Sequence, residues 1–119
     1  FFLIPYDIER KNFFLAKIPM DKRFLKKLIS IGHNLNPILR ITKQELSPNV
    51  LHELNRALDD HELIKVKIVG EKEIRDNLFL QMKELPETKV VQRIGGVVLL
   101  YRLSKETNKK LSNIFRSGK

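Results

Sequence analysis

Three histidines, one pair of adjacent aspartates and one glycine pair are the residue types in this chain that invite a chemical reading. His52 and His61 fall nine residues apart in one helical stretch, so they cannot make the i, i+4 pair with which a helix holds zinc. His61 closes that stretch, where a basic ring suits the negative end of a helix dipole. His33 stands alone. Asp59-Asp60 reads as a solvated turn, because a hard cation needs more oxygen ligands than two side chains supply. Gly95-Gly96 separates two apolar runs and reads as hairpin turn chemistry. No Gly-Lys-Ser/Thr phosphate loop and no helix-opening glycine cluster occurs. There is no cysteine, which excludes disulfides, thiolate metal sites and cysteine nucleophiles, and fits a reducing cytoplasm. The reading is of a protein that is not an enzyme, with no catalytic residue, no metal and no cofactor.

What remains is ionic. The 119 residues carry 23 bases and 14 acids, a formal charge of +9 and a pI near 9.9. The excess is segregated. Residues 20–44 hold six bases against one acid, residues 45–87 six against ten, and residues 88–119 eight against one. Two positive regions flank a mildly negative middle. Brought together, they would form a patch that attracts a polyanion. An apolar content of 42% excludes a disordered polyelectrolyte. The longest apolar run is well short of the roughly 20 residues that cross a bilayer, so no membrane is expected.

The elements that must position these charges follow from periodicity and punctuation. A first helix is expected from about Asp21 to Asn34, with Phe24, Leu25, Leu28, Ile29 and Ile31 inward and Lys22, Arg23, Lys26 and Lys27 outward. Asn36-Pro37 ends it, and Ile38 to Ile41 forms a short strand. Ser47-Pro48 pairs an N-cap with a first-turn proline and opens a second helix to about Asp60. Glu62 to Val69 alternates as a strand, Ile64, Val66 and Ile68 on one side and Leu63, Lys65, Lys67 and Val69 on the other. A third helix runs from about Glu71 to Leu85 and stops at Pro86. Two strands, Lys89 to Ile94 and Val97 to Arg102, close the domain as a hairpin. Helix crossovers imply parallel pairing and the hairpin is antiparallel, so the sheet is mixed. The expected fold is α+β, two-layer, a four-stranded mixed sheet with three helices in the order α-β-α-β-α-β-β. Residues 1–19 read as an N-terminal extension, either non-native sequence ahead of Met20 or an arm that packs its phenylalanines. Residues 105–119 read as a basic tail or short helix.

Lys65 and Lys67 share a strand face, and Arg93 and Arg102 join them if the register allows. Four cations on one face are costly to bury unpaired, so that face meets solvent, acids or a ligand.

The run His61-Glu62-Leu63-Ile64-Lys65-Val66-Lys67-Ile68, directly after Ala57-Leu58, resembles the central signature of the CRM domain (chloroplast RNA splicing and ribosome maturation), whose free-standing bacterial form is the YhbY-type protein. Val91-Gln92-Arg93-Ile94-Gly95 and Val97 to Arg102 resemble its closing hairpin, and Leu28 to Ile41 its helix-to-strand passage. The likeness covers about residues 20–104. It implies the fold of the C-terminal domain of translation initiation factor three and an RNA-binding role on large-subunit ribosomal precursors. It also implies a Gly-Lys-x-Gly loop that clamps RNA. Here the loop reads Thr42-Lys43-Gln44-Glu45, so the lysine carries over and both glycines do not. Thr42 and Glu45 bring Cβ atoms where the family lets backbone approach phosphate closely, and Glu45 adds a negative charge.

The combined expectation is a cytoplasmic, monomeric RNA-binding protein that assembles the large ribosomal subunit by holding precursor ribosomal RNA. Its contacts would be Lys22, Arg23, Lys26, Lys27, Arg40, Thr42 and Lys43, extended by Lys65, Lys67, Arg93 and Arg102. The rival expectation is a protein-interaction module that docks an acidic ribosomal or assembly partner on the same basic surface.

Overall fold

The computed structural model describes residues 22–42, 46–102 and 111–114. Its elements are α1 (Lys22–His33), β1 (Leu39–Ile41), α2 (Pro48–His61), β2 (Leu63–Ile68), α3 (Lys72–Lys83), β3 (Lys89–Ile94) and β4 (Val97–Tyr101). Class and element order are as expected. The strands lie in the order β1-β2-β4-β3, with β1 parallel to β2 and the other two pairings antiparallel. The expected cap of α1, Asp21, and the whole of residues 1–19 lie outside the described residues.

Local chemistry explains the boundaries. The Ser47 hydroxyl accepts the Val50 amide at 3.2 Å, and Pro48 occupies the first turn of α2, where its missing N–H leaves nothing unpaired. α2 ends when Glu62 turns to φ 63° and donates its amide to the Leu58 carbonyl at 2.9 Å. The hairpin turn is tied to the end of β2, because the Ile68 amide donates to the Gly96 carbonyl at 2.7 Å. A Cβ at position 96 would run into the Ile68 carbonyl oxygen, so only glycine fits this close approach.

β2 alternates as read from the sequence, and its alternation together with that of β4 builds two cores. Ile64, Val66, Ile68, Val98 and Leu100 pack under Leu54 and Leu58 of α2 and Leu78 and Met82 of α3. On the opposite face Leu63, Leu99 and Tyr101 pack under Leu28 and Ile31 of α1, with Phe24 meeting Tyr101 edge-on at 5.5 Å between ring centres. The layering is therefore helix, sheet, helix pair, one layer more than the two-layer stack expected. The physical cause is that β4 is apolar on both faces, joined on the α1 side by Leu63 of β2, and such a strand needs cover on both sides. Burying each of these large side chains contributes about 1.5–3 kcal/mol. α1 sits so close that a Cβ at Gly32 would stand 2.6 Å from a Leu99 methyl.

Residues 111–114 pack against the junction of α2 and β2. The Ser112 hydroxyl donates to the buried Glu62 carboxylate at 2.6 Å, the Asn113 side-chain amide donates to the Leu63 carbonyl at 2.6 Å, and His61 Nδ1 donates to the Leu111 carbonyl at 2.8 Å. The remainder of residues 105–119 lies outside the described residues.

Candidate nucleic-acid interface

The two sides of the sheet differ in charge as well as in core, one basic and the other mixed. α1 carries Lys22, Arg23, Lys26 and Lys27, all exposed, and no acid. α2 and α3, on the other face, mix the acids Glu53, Asp59, Asp60, Glu73 and Asp76 with the bases Arg56, Lys72, Arg75 and Lys83. Apolar residues at i, i+4 and i+7 hold α1 on the sheet, so its lysines turn outward by helical geometry alone.

β1 adds to the α1 side. It pairs with β2 so that Arg40 stands opposite Lys67, flanked by the inward pairs Leu39–Val66 and Ile41–Ile68. Lateral neighbours in a sheet point to the same side, so Arg40 and Lys67 share the α1 face, and Lys65 joins them two residues along β2. Among the described residues no ion pair engages Arg40, Lys65 or Lys67. Like charges directly opposite one another are destabilising, so this arrangement is not explained by fold stability. Thr42 is exposed just beyond β1. Lys43, with Gln44 and Glu45, lies outside the described residues.

Arg93 and Arg102 do not join this face. Both turn toward α2 and α3. Arg93 pairs with Asp76, donates through Nε to the Gly95 carbonyl at 3.0 Å, and stacks over Phe79 at 4.7 Å. The cause is a bulge. Val90 pairs with Leu100 but Gln92 pairs with Leu99, so Val91 is an extra residue and the alternation of β3 reverses after it. An unbroken strand would have put Arg93 beside Val91 on the α1 face. Arg102 follows Tyr101 and so points away from α1. It is only 7% exposed. Its guanidinium donates to Asp59 at 3.2 Å, to the Asn55 side chain at 2.8 Å, to Thr88 at 3.0 Å and to the Pro86 carbonyl at 3.1 Å. This arginine ties α2, the α3–β3 loop and the end of β4 together.

Two residues on the α1 face escaped the sequence reading. Lys89 is opposite Tyr101 and exposed, and Gln92 is opposite Leu99. The alternation of β3 carried the signal for Lys89. Gln92 needed the bulge.

Two ionisable groups respond to this packing. The Arg93 guanidinium and then the Lys72 ammonium, both hydrogen-bonded to Asp76, hold its carboxyl below the usual 3.8. Burial, and then the nearby Glu62 charge, pushes the Tyr101 phenol up to about 12. His61 is the last residue of α2, as read, and His52 is exposed on the same helix.

The chain has recognisable relatives. A protein of Pseudomonas aeruginosa named "Probable RNA-binding protein PA4753" is 45% identical over 92 residues, which cover 76% of this chain and 88% of that protein. An RNA-binding protein of Haemophilus influenzae is 37% identical over 92 residues, 76% of this chain and 90% of that one. The solution structure of the hypothetical protein SAV1595 from Staphylococcus aureus superposes with a TM-score of 0.60 at 30% identity, covering 71% of this chain and 90% of that chain. The CRS1 / YhbY (CRM) domain matches residues 20–102, which take in every helix and strand described above. The chain belongs to the CRS1 / YhbY (CRM) domain family.

Proposed function

We propose that this protein binds RNA, specifically precursor RNA of the large ribosomal subunit, and serves in the assembly of that subunit as a cytoplasmic monomer. One observation carries the RNA reading. Arg40, Lys65 and Lys67 share a sheet face without acid partners among the described residues, on the same side of the sheet as a helix that carries Lys22, Arg23, Lys26 and Lys27 and no acid. Such a face suits phosphate groups, which neutralise it and release counterions. Relatives named as RNA-binding proteins support the same reading. The ribosomal part rests on what resemblance to the family implies.

Arg40, Lys65, Lys67 and the α1 cations position the RNA backbone in this reading, and Lys43 and Thr42 extend the contact from the end of β1. Arg93 and Arg102 act in the fold. Crosslinking in cells, followed by sequencing of the attached RNA, tests the assignment. Enrichment of large-subunit precursor RNA is expected. Recovery of messenger RNA or no RNA above background would contradict it.

A further inference from the structure

The α1 face is divided within its own plane. One cross-strand row runs Arg40 on β1, Lys67 on β2, Val97 on β4 and Ile94 on β3. The next row runs Lys65, Leu99 and Gln92. Each row is cationic on the β1–β2 side and apolar or amide on the β4–β3 side. α1 ends at His33 and leaves this region open, and a cleft of about 200 Å³ lies there. Val97, Leu99, Ile94, Gln92 and Lys65 line it from the strands, with Gly32 and His33 from the helix.

Ile94 is 67% exposed, the most exposed large hydrophobic side chain among the described residues. An apolar cleft beside cations that have no acid partner among the described residues suits a ligand that is flat and apolar at one end and anionic at the other. A nucleotide has that form. The cationic and apolar halves are one or two strand spacings apart, each about 4.8 Å, which is the scale of one nucleotide. Gln92 offers both a donor and an acceptor to a base edge, and the His33 ring can stack on a base face.

We propose that the cleft holds one unstacked nucleobase of the bound RNA, lying on Val97 and Ile94 beside Gln92, while neighbouring phosphates lie on Arg40, Lys65 and Lys67. The proposal rests on the RNA-binding reading and narrows it. The preferred substrate is a single strand, loop or bulge, because a base within a continuous duplex has no free face to offer.

The test measures binding of the full chain to three probes of equal length: a single-stranded oligoadenosine, the same strand with central abasic riboses, and a blunt RNA duplex. The wild-type protein is expected to bind the intact strand about tenfold more tightly than the abasic strand, the order that one stacked base supplies. Ile94→Ser, at an exposed position where folding is not at risk, removes most of that preference and leaves abasic binding unchanged. Gln92→Ala serves as the second variant, with a thermal melt to confirm folding. Arg40→Gln with Lys67→Gln weakens both strands alike. Equal binding of intact and abasic strands by the wild type, with both weakened by the Arg40/Lys67 pair, overturns the base cleft and leaves RNA binding standing. Duplex bound as tightly as the intact strand also overturns it. Failure of all three probes to bind overturns the RNA reading itself, and the cleft with it.

Discussion

Arg40 and Lys67 stand directly opposite each other on neighbouring parallel strands, on one face of the sheet, with no acid paired to either among the described residues. Two cations in register repel. Replacing either by a neutral residue of similar length, Arg40→Gln or Lys67→Gln, is therefore expected to stabilise the protein by roughly 0.2–1 kcal/mol in urea unfolding at low salt. The gain should shrink as salt screens the pair. Destabilisation by both variants would show that the two side chains support the fold.

Arg102 behaves in the opposite way. It is buried and gives its guanidinium to Asp59, Asn55, Thr88 and Pro86. Arg102→Ala strands those acceptors and should cost about 3 kcal/mol, measured as a lower urea midpoint. Once corrected for the folded fraction, its RNA affinity and salt dependence should match the wild type. A reduced salt slope in the folded variant would return Arg102 to the interface.

The Tyr101 phenol ionises only near 12 in the folded protein, because burial and the Glu62 charge oppose a phenolate, against 10.0 for the free group. The unfolded chain releases this proton first as pH rises, so stability is intact below 10.0 and falls progressively as pH climbs through the folded value. Tyr101→Phe should flatten that alkaline loss in urea melts. An equally steep loss in the variant would assign it to other groups.

Asp76 gives an acid-side counterpart. Its carboxyl is held below 3.8 by hydrogen bonds from Arg93 and Lys72. Its stabilising contribution is present above 3.8 and is lost as pH falls through the lowered value. The stability difference between wild type and Asp76→Asn should then hold steady down to about pH 5 and close only in stronger acid. Closure already near neutrality would contradict the pairing.

Much of the fold was legible because its signals are local. Ser47-Pro48 marks the start of α2, Gly95-Gly96 marks the hairpin, and the alternation from Leu63 to Ile68 assigns each side chain of β2 to a face. The third layer was also written in the chain: Leu99 and Tyr101 alternate with Val98 and Leu100, and apolar residues on both faces call for two covers. The site was less legible, since cation placement depends on register between distant strands. Arg40 meets Lys67 through pairing that no local pattern specifies. Arg93 was misplaced because one extra residue, Val91, reverses the strand beyond it. Arg102 required knowing that Asp59 and Asn55, more than 40 residues earlier, would be waiting for it.

The salt dependence of RNA binding tests the central claim most directly. If Arg40 and Lys67 each neutralise a phosphate, the double variant Arg40→Gln/Lys67→Gln should bind more weakly, and the slope of log K against log salt should fall by about 0.7–0.9 for each contact removed. An unchanged slope and affinity in a folded double variant would contradict the account and place the RNA on another surface.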